Sequence, residues 1–500
     1  MNSFSLLTAL IPLVGAFFVR SSNAATARPL AIVVALLSLL AASIGLFMPT
    51  LAAALPALGL IGGGLDRVAA MLSPAFATLL VIVVGISPKR VRTPATLSRI
   101  LASAAASLAL VAAVEPGVLA VVWALAYLPV FLELRAANEH GAARIFAIHG
   151  VVSALALALG LGFIAGGRPN VGMPLVMVAV MVREGLLPFH TWLPALYDRA
   201  PLATTAMWVA PQAGVVVLVR FVSFHGTEFA DAALATLGLV TALHGAALAL
   251  VQRRPRRALA YLAVSQSALI IAGIPDGGLG GRTGGLLLIF SLGAASAGIA
   301  LALQALEARR DRRTLDGLSG GFAKMPMLAS AMLVLGLCGV GLPGTLGYVA
   351  EDLVLHALID RHPIEGIALV VATALNGVTV LKLFFRLFGG PTPERGLADL
   401  NIRERIGLWG MVTILLLGGV LPSAWLSKAS AAAAATAPQQ ASVYWVPGVV
   451  EVEARGTWMR VGTTGGASQS ATMLRGELAA TTMVVPRHLK LQLRGMSTAT

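Results

Sequence analysis

Apolar segments long enough to cross a membrane follow one another along most of this chain. They lie at residues 4–19, 28–47, 67–85, 97–114, 117–134, 145–165, 172–187, 203–223, 231–251, 258–274, 284–306, 325–342, 345–360, 366–385 and 406–427. A spanning helix needs about 20 mostly apolar residues, and these segments lack the alternation typical of barrel strands. The pattern predicts an all-α membrane protein with about 14 transmembrane helices, occupying residues 1–427.

One part of the chain combines this apolar character with groups that lipid rejects. Residues 181–221 contain Pro188, Pro194, Pro201 and Pro211. Proline removes a backbone hydrogen bond, and irregular backbone persists in a membrane only when it is buried in protein or faces a water-filled cavity. We therefore expect a polar site inside the membrane domain. We also expect a helix that is interrupted at Pro211, where the Gln212 side chain satisfies a freed backbone group.

The composition agrees with a membrane protein and disagrees with a soluble domain. Of the 500 residues, 57% are hydrophobic and only 12% are charged, and the mean hydropathy is +0.86. Soluble domains contain about 25% charged residues. The net charge of +14 comes largely from arginines in short loops. Such a distribution reports topology, whereas nucleic-acid binding needs a folded basic surface.

The basic loops predict which end of the helices faces the cytoplasm. In the order of the apolar segments, three basic clusters fall at one end, namely 89–92, 253–257 and 309–313. The positive-inside rule makes this end cytoplasmic. The loops near Pro116, Gly167 and Glu228 fall at the other end. The alternation fails after Leu318, where the arginines that would lie outside are Arg386, Arg395, Arg403 and Arg405. We therefore expect a miscounted span or a broken helix in this region.

The chain changes character after Ser427. Residues 428–500 begin with an alanine tract and continue as a polar, low-complexity segment, which predicts a flexible tail. Within it, Ser442 to Arg455 has a strand-like pattern. The sequence has no P-loop, dinucleotide-binding glycine pattern or cluster of metal ligands, and its single cysteine, Cys338, lies in an apolar segment. We therefore expect no cofactor and no metal site.

Three segments resemble a known family. Residues 188–194 read PFHTWLP, residues 260–265 have the pattern Ala-Tyr-x-x-x-Ser, and residues 341–351 read GLPGTLGYVAE. In type, order and approximate spacing, these segments resemble the antiporter-like proton-translocating membrane subunits of respiratory complex I. That family also includes subunits of multi-subunit cation/proton antiporters and of membrane-bound hydrogenases. The resemblance covers a core of about 97–390.

The resemblance implies a fold of about fourteen helices with two inverted five-helix repeats, each containing a discontinuous helix. It also implies location in the cell inner (plasma) membrane, with other membrane subunits as partners. In such a fold, titratable side chains at mid-membrane pass protons along a polar axis. The presence or absence of those side chains in this chain therefore bears directly on its function.

Most titratable positions implied by the resemblance hold other residues here. Ala124 stands where the family has a glutamate, and Gln212 stands where it has a central lysine. Gln266 and Leu292 replace histidines. None of these side chains exchanges a proton at an accessible pH. The sequence therefore predicts a degenerate proton relay and little proton conduction by the chain alone.

Seven residues remain as candidates for an ion pathway, and no catalytic residue is expected. They are Arg183, Glu184, His190, Gln212, Gln266, Glu351 and Lys382. Arg183 occupies a position where the family has a lysine, while Glu351 and Lys382 match positions where charge is usual.

Structural explanations compete with a functional role for these residues. His190 has the character of a hydrogen-bonding residue at a helix end, and Lys382 could snorkel toward the membrane surface. Arg183 and Glu184 are adjacent in sequence and so point to different faces of a helix. Gln212 could serve only to satisfy broken backbone.

Three functional hypotheses follow. The first is a membrane subunit of a complex I-like, NADH-quinone oxidoreductase-type or related proton- or cation-translocating assembly, itself without redox chemistry. The second is the antiporter-like subunit of a bacterial inorganic-carbon uptake complex. The third is a structural membrane spacer. A redox partner encoded beside this chain would favour the first, and a soluble carbonic-anhydrase-like partner would favour the second.

Overall fold

A computed structural model of the chain describes most of the sequence. The described residues are 3–47, 67–88, 92–225, 228–274, 278–310, 312, 314–359, 362–391, 398–436, 442–446, 449–454, 457–462 and 492–494. Two compact units result, one of Met1–Val222 with Gly226–Ala435 and one of Ser223–His225 with Thr436–Thr500. The first unit consists of helices and contains every candidate residue named above.

The helices follow one another with short connections. They are α1 (Ser3–Ser21), α2 (Ala27–Phe47), α3 (Arg67–Ile86), α4 (Pro94–Ala112), α5 (Pro116–Ala126), α6 (Leu128–Ala136), α7 (His140–Ala165), α8 (Pro169–Glu184), α9 (Trp192–Arg199), α10 (Leu202–Val209), α11 (Ala213–His225), α12 (Glu228–Val251), α13 (Pro255–Gly273), α14 (Gly278–Glu307), α15 (Pro326–Cys338), α16 (Leu346–Ile359), α17 (Pro363–Phe388), α18 (Ile402–Val420) and α19 (Ser423–Ala435).

The described helices suit a multi-pass membrane protein. By length and composition, nine of them could cross a membrane, or ten if the pair α18 and α19, bent by 81°, counts as one more. Large apolar side chains such as Val121, Leu125 and Leu155 are exposed on the outside of the bundle. Lipid can cover such side chains, whereas water would penalise them. The prediction of an all-helical membrane domain is confirmed.

Several helices begin at side chains that accept bonds from free N–H groups. Thr93 accepts from the Thr96 N–H at the start of α4, and Asn401 forms a capping box at the start of α18. Glu115 caps α5, and the Val118 and Gly117 N–H groups lower the pKa of its carboxyl group. Proline follows the cap of α4 and of α5. These starts are therefore encoded locally.

One end of the bundle, called the arginine-rich end below, is joined by ion pairs. It is the end at which α12 and α14 finish and at which α13 and α18 begin. The Arg256 Nη2 of α13 lies 2.6 Å from the Glu307 Oε2 of α14. Arg309 forms an ion pair with Glu404 of α18. The described members of the three predicted basic clusters lie at this end, since Arg92 interacts electrostatically with Glu404. Residues 89–91 and Arg313 lie outside the described residues.

The path between α14 and α17 explains why the alternation of basic loops fails. α15 begins at the arginine-rich end, where Met327 N donates to Asp399 Oδ2 at 2.8 Å. It stops at Cys338, and α16 continues to the opposite end, where Ile359 packs against Gly366 at the start of α17. The two apolar segments 325–342 and 345–360 were therefore wrong as separate spans, because they form two halves of one passage. The expected broken helix is confirmed.

This single passage returns the later arginines to the basic side. Arg386, near the end of α17, donates to the Asp316 carbonyl oxygen at 3.2 Å. Arg403 and Arg405 lie in the first turn of α18. Arg395 lies outside the described residues.

The C-terminal unit contains a small sheet. Its strands are β1 (Ser442–Val446), β2 (Val449–Ala454), β3 (Thr457–Gly462) and β4 (Gln492–Arg494), in the order β3-β2-β1-β4. β1 pairs antiparallel with β2 and parallel with β4, and β2 pairs antiparallel with β3. The strand-like stretch corresponds to β1 and β2, apart from residues 447–448 and Arg455, which lie outside the described residues. The flexibility of residues 428–500 stays a prediction.

Candidate functional site

The first part of the candidate site is a break between α10 and α11. α10 ends at Val209 and α11 begins at Ala213. Between them, Gln212 has a backbone φ of 46°. Residues other than glycine rarely adopt this left-handed conformation. Its Nε2 donates to the Val209 carbonyl oxygen at 3.4 Å. The predicted interruption at Pro211 is confirmed. The Val209 carbonyl oxygen also accepts the Gln212 backbone N–H at 3.2 Å, so the role of the Gln212 side chain in satisfying a freed group stays a prediction.

Glu184 of α8 faces the second half of this broken helix. Its Oε1 accepts a hydrogen bond from the Gly214 N–H at 2.6 Å, and its side chain is buried. Gly214 is the second residue of α11, so the carboxylate lies at a helix N-terminus, where free N–H groups and the helix dipole favour negative charge. A methyl group at Gly214 would come within 2.5 Å of Glu184 Oε1. The close contact therefore requires glycine.

Arg183 points away from Glu184 into a group of aromatic rings. Its guanidinium carbon lies 4.6 Å from the centroids of Trp123 and Trp208 and 5.3 Å from that of Tyr127. Both indole N–H groups are occupied, since Trp123 donates to Ser153 and Trp208 to the Ala126 carbonyl. Rings fixed in this way stabilise a buried cation through their π faces. The expectation that Arg183 and Glu184 use different faces is confirmed.

Consecutive polar residues of α13 connect this region with other helices. Ser267 lines a small cavity together with Arg183 and Glu184. Ser265 donates to the Ala242 carbonyl at 2.9 Å and accepts a hydrogen bond from Asn376 of α17 at 2.9 Å. A polar strip on one buried helix thus reaches both α12 and the first helix break.

Gln266, between those serines, reaches the second helix break. Its Nε2 donates to the Gly339 carbonyl at 2.7 Å, just beyond the end of α15. The connection to α16 contains Gly341, whose φ of 68° favours glycine. The Glu351 carboxylate of α16 packs so close to Gly341 that an added methyl group would overlap it. Gln266 therefore satisfies a backbone carbonyl group at the second break.

Lys382 lies apart from both breaks. Its ammonium group donates to the carbonyl oxygens of Leu250 at 2.6 Å and Gln252 at 3.0 Å. These carbonyls end α12 at the arginine-rich end, where a cation satisfies free C=O groups and complements the helix dipole. This geometry is that of a helix cap.

The positions that differ from the resembled family fall into two classes. Gln212, Gln266 and Leu292 are buried. Ala124 is instead exposed on the outside of α5. A second, apolar cavity adjoins the first break at Ala210 and is lined by residues such as Phe76, Ile289 and Met411. Its lining is almost entirely apolar.

Two polar residues beside the candidates were missed from the sequence. His244 of α12 has its ring centroid 5.4 Å from that of His190, and Asn376 is buried against Ser265. The available signal was a single polar side chain within an apolar segment, which membrane proteins seldom retain without a partner or a task.

Comparison with known proteins agrees with this geometry. The family model for NADH:quinone oxidoreductase/Mrp antiporter transmembrane proteins matches residues 77–376. The chain belongs to this family. Subunit M of NADH-quinone oxidoreductase from Mycobacterium tuberculosis (strain CDC 1551 / Oshkosh) is 30% identical over 253 residues, which is 49% of this chain and 46% of the relative. Subunit M of F(420)H(2) dehydrogenase from Methanosarcina mazei is 28% identical over 247 residues, or 48% and 50%.

Solved structures of this family share the fold. A chain of respiratory complex I from Thermus thermophilus matches with a TM-score of 0.78 at 24% identity, covering 86% of this chain and 98% of the other. A chain of the Mrp complex from Dietzia sp. DQ12-45-1b matches with a TM-score of 0.73 at 19% identity, covering 87% and 97%. In sequence, the chain spans about half the length of the curated relatives it matches.

Proposed function

We propose that this chain is a membrane subunit of a complex I-like or Mrp-type assembly that moves protons or other cations, and that its own proton relay is degenerate. Family membership and the shared fold support the first part. Relatives and structural neighbours are subunits of NADH-quinone oxidoreductase, Mrp and a sulfane sulfur reductase complex. We infer that other membrane subunits are its partners and that it resides in the cell inner membrane.

One observation carries the second part of the proposal. At both helix breaks, a buried glutamine amide donates to a backbone carbonyl oxygen, Gln212 to Val209 and Gln266 to Gly339, while Glu184 meets the first break at the Gly214 N–H. An amide donates and accepts hydrogen bonds but exchanges no proton at an accessible pH. Arg183 stays protonated and is held between aromatic rings, so it supplies a fixed positive charge. These residues therefore stabilise the broken helices without relaying protons.

The complete fold in this proposal has about 14 passages, with inverted repeats and two discontinuous helices. The successive helix ends support it, because α10 with α11, and α15 with α16, each make one broken passage. This arrangement places every described arginine cluster at one end.

Seven residues are proposed to line what remains of an ion pathway. They are Arg183, Glu184, His190, Gln212, Gln266, Glu351 and Lys382. Glu184 and Glu351 are the carboxylates that lie beside the two breaks. A structural spacer is the second candidate function, favoured by the amides at the breaks and by the apolar cavity beside Ala210.

Reconstitution tests the degenerate relay. We expect liposomes that contain the purified chain to dissipate an imposed pH gradient no faster than empty liposomes, because neither break holds a proton-exchanging amine. Quenching of a trapped pH-sensitive dye measures the rate. The variant Gln212→Lys, which places an amine at the first break, should raise it, with Gln252→Lys at the helix end as the matched control. Wild-type flux well above the empty-liposome rate would refute the degenerate relay.

The assembled complex tests Lys382 and Glu351. If a partial ion path survives, Glu351→Gln should lower coupled turnover while the complex still assembles, because it removes the carboxylate at the second break. Lys382→Met should lower the free energy of unfolding by roughly 1–3 kcal/mol, because the Leu250 and Gln252 carbonyl oxygens lose their hydrogen-bond donor. Turnover per assembled complex separates the two effects. Unchanged turnover in both variants would exclude these residues from an ion path and favour the spacer.

A further inference from the structure

His190, one of the seven residues of the proposed ion pathway, forms a pair with His244, which that proposal does not include. His190 belongs to the connection between α8 and α9, and His244 belongs to α12. Their ring centroids lie 5.4 Å apart with planes at 78°, and the Tyr261 ring lies 6.2 Å from that of His190. His190 Nδ1 is buried and has no hydrogen-bond partner among the described residues. Buried nitrogens are seldom left in this state, so His190 is available to a ligand.

Two contacts position the backbone around the pair. The Leu187 N–H donates to Thr241 Oγ1 at 3.2 Å, which ties the His190 connection to α12. Thr241 and His244 are three residues apart and so lie on one face of that helix. Gly245 allows α12 to approach α13 closely, because a methyl group there would come within 3.1 Å of the Tyr261 carbonyl oxygen. These contacts hold the backbone from which the two imidazoles extend.

The ring separation suits a shared metal ion. Two imidazole nitrogens bound to one tetrahedral Zn²⁺ at about 2.0–2.1 Å place their ring centroids roughly 5 Å apart. The observed separation is 5.4 Å. We propose that His190 and His244 bind one divalent transition-metal ion, such as Zn²⁺ or Cu²⁺, with water completing its coordination. The site shares His190 with the proposed ion pathway, but metal binding by the pair does not require proton transport.

The donor set determines which ions fit. Neither histidine forms an ion pair with a carboxylate among the described residues. Calcium and magnesium require several oxygen ligands, whereas imidazole favours zinc, copper and nickel. Two protein ligands hold an ion less tightly than the three or four of an enzyme or structural site. We therefore expect exchangeable binding.

Copper spectroscopy on the full chain, purified without a histidine tag, tests the site directly. One equivalent of Cu²⁺ should give an electron paramagnetic resonance spectrum with coupling to two imidazole nitrogens. A titration with Zn²⁺ in competition with a metal indicator should show one site per chain, weakened at least tenfold in His190→Gln and in His244→Gln. Thermal unfolding without metal establishes that each variant is folded.

A matched control uses another histidine with a nearby ligand. His356 Nδ1 lies 3.3 Å from Asp352 Oδ1 on the exposed part of α16, and His356→Gln should leave the tightest site intact. Should either histidine variant fail to fold, the nitrogen coupling in the wild-type spectrum still decides the matter. Coupling to fewer than two nitrogens, or Zn²⁺ binding that is lost only in His356→Gln, would overturn the proposal.

Discussion

Arg183 and Glu184 show how adjacent opposite charges are stabilised separately inside one bundle. A buried charge without a partner costs several kcal/mol, and both side chains are more than 90% buried. Aromatic faces surround the guanidinium, and a helix N-terminus receives the carboxylate. Because the two stabilising contacts belong to different helices, the pair connects α5, α8, α10 and α11.

Gly214→Ala tests the carboxylate contact. The added methyl group would lie 2.5 Å from Glu184 Oε1, so we expect the carboxylate to be displaced from the Gly214 N–H. Loss of a hydrogen bond to a buried charged group lowers the free energy of unfolding by roughly 1–3 kcal/mol. This loss should exceed the small stabilisation that replacing glycine with alanine brings to a helix. Thermal unfolding in detergent measures the change.

Gly162→Ala is the matched control for Gly214→Ala. Gly162 lies in α7, and a methyl group there would meet no atom within 4 Å. We expect this variant to be neutral or slightly more stable. Equal stability of Gly214→Ala and Gly162→Ala would show that the Glu184 contact contributes little.

The sequence predicted some features around the charged residues and not others. Adjacent positions on a helix diverge by geometry alone, so the separation of Arg183 from Glu184 could be predicted. The aromatic rings around Arg183 could not, because Trp123 and Trp208 come from helices distant in sequence. His244 was missed for the same reason: its significance depends on His190, which lies 54 positions earlier in the chain.

At the scale of elements, broken helices and caps from distant segments organise the bundle. α15 begins without a side-chain cap of its own, and Asp399 supplies one from the segment before α18. Its two oxygens accept from the N–H groups of Met327 at 2.8 Å and Leu328 at 3.1 Å. The same segment binds Arg309 through the Ala398 and Asp399 carbonyls. The cap therefore joins α14, α15 and α18.

Asp399→Ala should loosen this junction. Removing an N-terminal cap costs about 0.5–2 kcal/mol, and we expect a lower midpoint of thermal unfolding together with faster proteolysis between α14 and α15. Asp399→Asn retains an accepting oxygen and serves as the control, with a smaller loss expected. An alanine variant as stable as wild type would indicate that water satisfies these N–H groups equally well.

The two helix breaks differed in how clearly the sequence marked them. Pro211 and Gln212 interrupt an otherwise apolar segment, so the first break followed from local chemistry. The second lies in a glycine-rich connection between two segments that each have nearly the length of a span. Only the failing alternation of arginines indicated it. Contacts between a side chain of one helix and the backbone of another, such as that of Gln266 with Gly339, could not be predicted from the sequence around either residue.

At the scale of the whole molecule, charge asymmetry is the property that relates the fold to the membrane. Arg256 of α13 and Arg309, just beyond α14, pair with carboxylates at the arginine-rich end, while large apolar side chains cover the outer faces. Paired arginines keep these ends together. The excess of arginines over acidic residues at this end would favour a membrane surface that carries negative charge. Topology and stability thus depend on the same residues.

The positive-inside rule predicts that the arginine-rich end is cytoplasmic, and cysteine labelling tests this orientation. Cys338 is buried, and Cys338→Ser provides a background without cysteine. Gly317→Cys places a thiol at the arginine-rich end, where a side chain meets no atom within 4 Å, and Asn170→Cys places one on the exposed first turn of α8 at the opposite end. A membrane-impermeant maleimide should label Gly317→Cys in inside-out vesicles and Asn170→Cys in intact spheroplasts. The reverse result would invert the proposed topology. Labelling of both from one side would contradict the passages proposed between these positions, which are α8 with α9, α10 with α11, α12, α13 and α14.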